Sequence, residues 1–237
     1  MPPRSPRASA AAGSRVPVAD RIYHDMFERL LAAYGPQHWW PGKTPTEVAV
    51  GAILTQNTAW SNVQRALANL KRAGCLNWTK LRDLPEAELA ELIRPAGTYR
   101  VKARRLKAFV QVLFDDFGGR LKAMCAGDGD LDETRRRLLT IHGVGRETAD
   151  ALLLYVGKRP TFVVDAYTLR VLRRHLLIEP KASYEDVRTQ LQRAVPPDEA
   201  VYNEYHALFV AAGKHHCRAR ALCAGCPLQD LPHDPSL

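Results

Sequence analysis

Residues 138–156, LLTIHGVGRETADALLLYV, constrain the fold of this chain more than any other segment. Two glycines, Gly143 and Gly145, separate a basic amphipathic helix from a second amphipathic helix. Glycine tolerates positive φ and lets another molecule approach the backbone closely. The second helix starts at once, so its free N–H groups and positive dipole end face the turn. The pattern predicts a helix-hairpin-helix that holds a DNA backbone without reading bases; a plain helix–turn–helix connection is the structural alternative.

The charge of the chain favours a polyanionic partner. Lys and Arg total 34 against 25 Asp and Glu, so the formal net charge is +9. Such an excess favours nucleic acid, although a basic solvated surface is the alternative interpretation. The predicted DNA contacts lie in the turn and the start of the second helix: Gly143, Val144, Gly145, Arg146, Glu147 and Thr148. A basic row upstream is more typical of a solvated face than of a DNA groove; it comprises Arg100, Lys102, Arg104, Arg105 and Lys107.

Hydrophobic spacing elsewhere in the chain predicts helices. Apolar residues recur at helical intervals over residues 20–34, and Thr46 is placed to cap a helix that carries Val48 and Leu54. Only residues 161–164 look strand-like, and this run is too short to found a sheet. No apolar run approaches the roughly 20 residues that span a bilayer. We therefore predict an all-α protein without a membrane segment.

Asp165 stands in the segment FVVDAYTLRVLRRHLL, directly before a predicted amphipathic helix. An aspartate at this place is a natural N-cap, which by itself requires no further role. The backbone hydrogen bonds that a capping carboxylate accepts also hold its pKa low. Such a group stays ionised near neutral pH. It therefore suits electrostatic stabilisation of a developing cation, and it does not suit proton donation.

These segments resemble a known family. The hairpin IHGVGRETAD, the segment VVDAYTLR and a C-terminal cysteine cluster are similar to those of the endonuclease III superfamily of base-excision DNA glycosylases, over residues 20–227. The resemblance implies the all-α, two-lobed HhH-GPD fold, with DNA held over the cleft between the lobes and Asp165 as the catalytic aspartate. It divides the folded chain into a discontinuous lobe with Asp165 and the cysteine cluster (19–44 and 160–237) and a lobe with the hairpin (45–159). Residues 1–18 are rich in Pro, Ala, Ser and Arg, which predicts a disordered basic tail; an organellar transit peptide is the alternative.

One position departs from the superfamily pattern. Bifunctional members carry a lysine after the sequence G-V-G-R, and this lysine forms a Schiff base with the sugar. This chain has Glu147 at that position. A carboxylate cannot form that adduct. The resemblance therefore implies a monofunctional glycosylase of base excision repair, which hydrolyses the glycosidic bond with water.

The segments HWWPGKTPTEVAVGAILTQNTAWSNV and YNEYHALFVAAGKHHC are similar to those of the 3-methyladenine DNA glycosylase III subgroup. This resemblance implies that Trp39, Trp40 and Pro41 form the base pocket, and that Gln56 fills the gap left by a flipped nucleotide. Alkylated purines carry positive charge, so an aromatic face attracts them more than normal bases. The alternative for the two tryptophans is packing in the core.

Three cysteines near the C-terminus depart from the superfamily pattern: Cys217, Cys223 and Cys226. Members of the superfamily often hold a [4Fe–4S] cluster on four cysteines, with six residues in the first gap. The first gap has five residues in this chain, and Pro232 lies where the fourth cysteine would fall. His233 or Asp230 could complete a cluster, and His215 or His216 could instead complete a zinc site. In the third interpretation there is no metal; some subgroup members brace this region with a modified lysine, for which Lys214 is the candidate.

The predicted partner is double-stranded DNA that contains damaged bases, bound by a monomer. Five cysteines without a secretory signal indicate a reducing cytoplasm, with the protein associated with the nucleoid. Two other functions stay open. One is a glycosylase/lyase or mismatch glycosylase that uses another lysine and acts on oxidised or mispaired bases. The other is a DNA-binding protein that keeps the fold without catalysis.

Overall fold

The computed structural model of the chain describes residues 18–37, 39, 42–127 and 129–237. The predicted basic tail (residues 1–18) lies outside the described residues except for Val18, which begins the first helix. Among the described residues the only strand-like pairing is an isolated bridge between Cys217 and Ala221. The predicted all-α class is therefore confirmed.

The described residues form twelve α-helices. In chain order they are α1 (Val18–Tyr34), α2 (Pro45–Leu54), α3 (Trp60–Arg72), α4 (Trp78–Asp83), α5 (Glu86–Leu92), α6 (Tyr99–Phe117), α7 (Leu121–Ala126), α8 (Leu131–Leu139), α9 (Arg146–Ala151), α10 (Ala166–Arg174), α11 (Tyr184–Ala194) and α12 (Glu199–His215). A 3₁₀ turn (Arg94–Ala96) precedes α6, and a π-helical segment (Leu152–Val156) continues α9. None of the described helices is both long enough and apolar enough to cross a bilayer.

The helices share a core in two packed groups. Helix α2 packs on α3, α6 and α9, whereas α12 packs on α1 and α10. The π-helical segment contacts both α2 and α12, and its five residues are all buried. The hairpin therefore leads directly into the interior, where the two groups meet. The division into lobes of residues 19–44 with 160–237 and 45–159 stays a prediction.

Residues 161–164 carry the chain from the π-helical segment to α10, and all four are buried. The Phe162 ring packs against the rings of Tyr202 and Tyr205 on α12, with centroid distances of 5.2 and 5.8 Å. Backbone N–H groups of the segment donate to side chains of α11: Phe162 to Gln192 Oε1 at 3.1 Å and Val164 to the Tyr184 hydroxyl at 3.4 Å. The residue that follows, Asp165, is therefore presented from a fixed backbone.

A buried network of charges joins α8, α9 and α11. Asp150 is fully buried and accepts hydrogen bonds from Arg135 at 2.8 and 3.0 Å. The hydroxyls of Thr161 and Tyr184 donate to the same carboxylate at 2.9 and 2.8 Å, and Arg188 Nε lies 3.5 Å away. Because Tyr184 also accepts from the backbone just before Asp165, this network ties the hairpin helices to the catalytic candidate.

The basic row on α6 is only partly the solvated face that its spacing predicts. Lys102 is 1% exposed, and its ammonium donates to the carbonyl oxygens of Leu54 and Ala96 at 2.8 and 2.7 Å. The ammonium of Lys107 donates to three carbonyl oxygens around the end of α4, those of Leu81, Arg82 and Leu84. These two cations therefore bind helix ends of the protein itself.

We expect the substitution Asp150→Asn to lower the free energy of unfolding by about 3 kcal/mol, because Arg135 and Arg188 lose their fully buried counter-charge and keep the more exposed Glu185. Urea denaturation followed by circular dichroism measures the change. The exposed pair of Arg82 and Asp83 supplies the control: Asp83→Asn should leave the midpoint of urea denaturation nearly unchanged. Equal effects of the two substitutions would contradict a structural role for the buried network.

Candidate active site

Asp165 caps the N-terminus of α10, as the sequence predicts. Its Oδ1 accepts hydrogen bonds from the backbone N–H of Thr168 at 2.7 Å and from the Thr168 hydroxyl at 2.9 Å. The carboxylate is 13% exposed, so it lies at the edge of the protein interior with a small opening to the surface. Oδ1 therefore caps the helix, and Oδ2 is available for other contacts.

His206 on α12 approaches that second oxygen. Its Nε2 lies 3.6 Å from Asp165 Oδ2, and its Nδ1 lies 2.6 Å from the hydroxyl of Tyr155 in the π-helical segment. His206 and Tyr155 are 4% and 6% exposed, so this contact is almost closed to water. Burial acts to raise the pKa of Asp165, but hydrogen bonding and charge from His206 and two hydrogen bonds from Thr168 outweigh it and lower that pKa. Asp165 is therefore ionised at neutral pH.

Glu147 lies in the first turn of α9 and has the opposite electrostatic character. The residue is exposed as a whole, yet protein atoms crowd its carboxyl group. This burial, together with the negative charge of Asp165, raises the pKa of Glu147 to about 7, although the charge of His206 acts to lower it. The site therefore holds one carboxylate that is always ionised near neutrality and one that is partly protonated.

The hairpin turn between α8 and α9 needs glycine at one of its two glycine positions. Gly143 has a φ of +87°, and a Cβ atom at this residue would lie 2.1 Å from the Arg105 Cγ. Gly145 has an extended φ of −91° and no atom within 4 Å of its would-be Cβ. Gly143 thus closes the turn against α6, whereas Gly145 leaves open space in front of the backbone.

The other predicted hairpin residues differ in their exposure. Val144 is 7% exposed and packs into the core, and Thr148 is 5% exposed. Arg146 is exposed, and its guanidinium lies 3.4 Å from Glu185 Oε1 on α11. Side-chain contact with DNA is therefore open to Arg146, while Val144 offers only backbone groups to an outside molecule. The DNA-binding role of all these residues stays a prediction.

Gln56 lies against the hairpin. Its amide nitrogen donates to the carbonyl oxygen of Gly143 at 2.9 Å and to the Thr148 hydroxyl at 3.2 Å. Its amide oxygen accepts a hydrogen bond from the guanidinium of Arg105. The loop after α2 and the hairpin are therefore joined by one side chain, and the predicted role of Gln56 in filling a vacated base position stays a prediction.

Trp39 is the residue of the predicted base pocket that the structure describes; Trp40 and Pro41 lie outside the described residues. Its ring is half-buried and meets the His206 ring edge-on, with centroids 6.5 Å apart. The ammonium of Lys214 lies 5.5 Å from the Trp39 ring centroid. An aromatic face, a cation and the His206–Asp165 contact thus meet at one place.

The structure brings Trp39, Glu147 and Asp165 together around His206 and Tyr155. Sequence reasoning missed the last two residues. Both lie on apolar helices, where a tyrosine or histidine is ordinarily a satisfied core residue. The available signal was weak: a titratable ring among apolar residues at the core positions of α12.

The C-terminal cysteines lie in the loop that follows α12. Cys217 Sγ accepts a hydrogen bond from Arg174 at 3.2 Å. Burial and the charges of Cys223 and Cys217 raise the pKa of Cys226, although a hydrogen bond with the backbone of Leu228 acts to lower it. Within the described residues, no group of three or more His, Cys, Asp or Glu side chains is placed to hold a metal ion. The [4Fe–4S] cluster and the zinc site therefore stay predictions.

We expect Gly143→Ala to lower the free energy of unfolding by about 1–3 kcal/mol, because the added methyl group collides with Arg105 and the backbone φ is positive. Gly145→Ala is the control and should change that free energy by less than about 0.5 kcal/mol. Urea denaturation measures both. Gly145→Ala should nevertheless weaken binding of a DNA duplex, measured by fluorescence anisotropy, because its methyl group occupies the open space. Unchanged affinity would contradict close approach of DNA at this turn.

Comparison with known proteins identifies the family to which the chain belongs. A family model described as "HhH-GPD superfamily base excision DNA repair protein" matches residues 50–197, more than half of the chain. The chain is 45% identical over 210 residues to "Putative DNA repair glycosylase MJ1434" of Methanocaldococcus jannaschii, which covers 89% of this chain and 95% of the relative. It is 30% identical over 149 residues to endonuclease III of Bacillus subtilis, covering 62% of this chain and 63% of that protein.

Solved structures show the same fold. The 3-methyladenine DNA glycosylase of H. pylori bound to 1,N6-ethenoadenine is 27% identical, with a TM-score of 0.70, and the match covers 83% of this chain and 97% of that one. A non-covalent endonuclease III–DNA complex, 22% identical, has a TM-score of 0.77 over 92% and 97% of the two chains and shows the fold alone. The resemblance seen in the motifs is confirmed at the level of the superfamily. The chain therefore belongs to the HhH-GPD superfamily of base excision DNA repair proteins, as a DNA glycosylase.

Proposed function

We propose that the protein is a monofunctional DNA glycosylase that flips alkylated purines out of duplex DNA and hydrolyses their N-glycosidic bond with water. The observation that carries this proposal is the pair of carboxyl groups in the site. Asp165 is ionised and nearly buried, and Glu147 stands beside it where the resemblance places a lysine in bifunctional relatives. The pair offers negative charge to a sugar and no amine at that position.

Departure of a cationic base leaves a sugar with oxocarbenium character. A preorganised negative charge lowers the barrier to such a state, as carboxylates do in glycoside hydrolysis. Asp165 is suited to this role because Thr168 fixes one of its oxygens and the other stays unblocked by a short hydrogen bond. Water then adds to the sugar, aided by the same carboxylate. An alkylated purine is already a good leaving group, so a strong general acid is not required.

The half-buried Trp39 supports recognition of a modified purine. Its ring lies beside His206, which faces Asp165, so a base stacked on Trp39 would place its glycosidic bond near the carboxylate. Attraction between a cationic base and an aromatic face is worth on the order of 1 kcal/mol. Lys214 already occupies one side of this ring, so the base would displace it or stack on the other face. The similar H. pylori enzyme was solved with a modified adenine, which accords with this substrate class.

The hairpin is the proposed contact with the backbone of double-stranded DNA. Its open space at Gly145, the exposed Arg146 and the net charge of +9 all favour phosphate groups. Flipping a damaged nucleotide costs a few kcal/mol, least where pairing is already weak. Binding as a monomer remains part of the proposal.

One contact favours a second candidate function, a glycosylase with lyase activity. The ammonium of Lys214 reaches the same aromatic ring as the proposed base pocket. A primary amine near the sugar could act as the nucleophile that Glu147 cannot supply. The trapping experiment below distinguishes the two functions.

We expect Asp165→Asn to reduce base release by about 100-fold or more, because the developing cation loses its counter-charge. Release of methylated purines from methylated duplex DNA, measured under single-turnover conditions, tests this, and fluorescence anisotropy should show that DNA binding persists. Asp198→Asn is the matched control, since Asp198 also caps a helix, α12, and should leave the rate within about twofold. Excision by the Asp165→Asn variant at the wild-type rate would refute the assignment.

We expect borohydride to trap no covalent adduct between the wild-type protein and duplex DNA that contains an abasic site. The variant Glu147→Lys should give a trapped adduct, because it restores an amine at the position where the resemblance places the nucleophilic lysine of bifunctional relatives. Denaturing gel electrophoresis of labelled DNA measures the adduct. An adduct with the wild type that disappears in Lys214→Ala would favour the lyase function instead.

A further inference from the structure

We propose that His206 is a positioning residue that orients the Asp165 carboxylate, and that Tyr155 fixes the tautomer in which His206 does so. This inference deepens the proposed function and rests on Asp165 being the catalytic carboxylate. It assigns to two buried core residues a role in the reaction that neither the motifs nor the hairpin indicates.

The four residues concerned come from four separate parts of the fold. Trp39 follows α1, Tyr155 lies in the π-helical segment, Asp165 precedes α10 and His206 lies on α12. Their contacts centre on His206: its ring meets the Trp39 ring edge-on with centroids 6.5 Å apart, its Nδ1 lies 2.6 Å from the Tyr155 hydroxyl, and its Nε2 lies 3.6 Å from Asp165 Oδ2. Packing of distant segments thus creates a continuous polar path inside an apolar core.

The hydrogen-bonding capacity of each group determines which atom donates and which accepts along these contacts. An unprotonated Nε2 would direct its lone pair at the Asp165 carboxylate 3.6 Å away, so the neutral ring favours a proton on Nε2, and Nδ1 accepts the proton of the Tyr155 hydroxyl. Burial, and then the charges of Asp165 and Glu147, raise the pKa of Tyr155 well above its usual range, so the hydroxyl keeps that proton. A neutral imidazole that accepts at Nδ1 carries its proton on Nε2. The N–H group therefore faces Asp165 Oδ2.

A restraint of this kind matters because Thr168 holds only Oδ1 of the carboxylate. Rotation about the bond to the carboxyl group would move Oδ2 unless another group attracts it. The Nε2–H of His206 supplies that attraction at a distance longer than an ordinary hydrogen bond. Oδ2 is therefore oriented yet keeps its lone pairs for the sugar.

The tautomer is measured directly by nitrogen-15 NMR on the imidazole rings of the full chain. His206→Gln identifies the His206 signals by their loss. In the neutral ring, collected at the alkaline end of a pH series, we expect a single tautomer with its proton on Nε2, and we expect Asp165→Asn to shift the Nε2 signal. In Tyr155→Phe we expect a mixture of tautomers. A proton on Nδ1, or a mixture in the wild type, overturns the proposal.

Kinetics test the consequence for the reaction. Base release from methylated duplex DNA is measured under single-turnover conditions. A glutamine amide can replace the Nε2–H donor, so His206→Gln should retain the rate within about threefold, whereas His206→Leu should lose about 10- to 100-fold. Tyr155→Phe should lose about 3- to 10-fold without loss of DNA binding. Equal losses in His206→Gln and His206→Leu would show a merely structural role and overturn the proposal.

Matched controls come from buried residues of the same types outside the site. His175 is 7% exposed and bonds to the Pro232 carbonyl oxygen, and Tyr202 is 1% exposed and donates to the carbonyl oxygens of Gln192 and Val195. His175→Gln and Tyr202→Phe should leave the rate of base release unchanged. Comparable losses in these controls would attribute the effect to the core in general and overturn the proposal.

Failure of this inference is distinguishable from failure of the proposed function. Excision that persists in Asp165→Asn removes the catalytic role of the carboxylate while the Nε2–H tautomer can still be observed. An Nδ1–H tautomer removes the role of His206 while Asp165→Asn can still abolish excision. The spectroscopic result does not require any turnover, so it decides the proposal for whichever lesion the enzyme prefers.

Discussion

The geometry of the site depends on a carboxylate that does not belong to it. Asp150 has no exposed surface and bonds to Arg135 on α8 and, through Tyr184 on α11, to the backbone just before Asp165. An unpaired charge in the interior costs several kcal/mol, so these elements cannot separate without a large loss of stability. The hairpin that is proposed to hold the DNA backbone and the carboxylate that is proposed to act on the sugar are therefore kept in a fixed relation.

Two carboxyl groups in the site acquire opposite properties from their surroundings. The pKa of Asp165 is lowered although the group is buried, because Thr168 and His206 favour its charged form. The pKa of Glu147 is raised to about 7, because crowding by protein and the charge of Asp165 disfavour its ionisation. The surroundings of each carboxyl group therefore determine its protonation state, as they do in other enzymes with paired acids. One negative charge is permanent, and the second depends on pH in the range where the protein acts.

Short-range sequence patterns correctly predict those features of the fold that neighbouring residues determine. The turn at Gly143 and the cap at Asp165 follow from backbone conformation and short-range hydrogen bonds, and both agree with the structure. The hydrophobic pattern predicts the cap of α2 at Thr46, but Thr44 supplies the capping hydrogen bond and Pro45 takes the first helical position. The contact of Tyr155 with His206 spans 51 residues of sequence. Only tertiary packing brings these side chains together, so no periodicity or spacing could reveal it.

Arginine side chains of α10 bind the loop that carries the three C-terminal cysteines. Arg174 is 5% exposed and donates to the carbonyl oxygens of Arg218, Ala219 and Leu237. Hydrogen bonds from a charged donor are worth about 1.5–3 kcal/mol each, so this guanidinium stabilises the loop. Arg170, one turn earlier, donates to the Cys217 carbonyl oxygen. Since Asp165 caps α10, these arginines join the loop to the helix whose cap is the carboxylate proposed to act on the sugar.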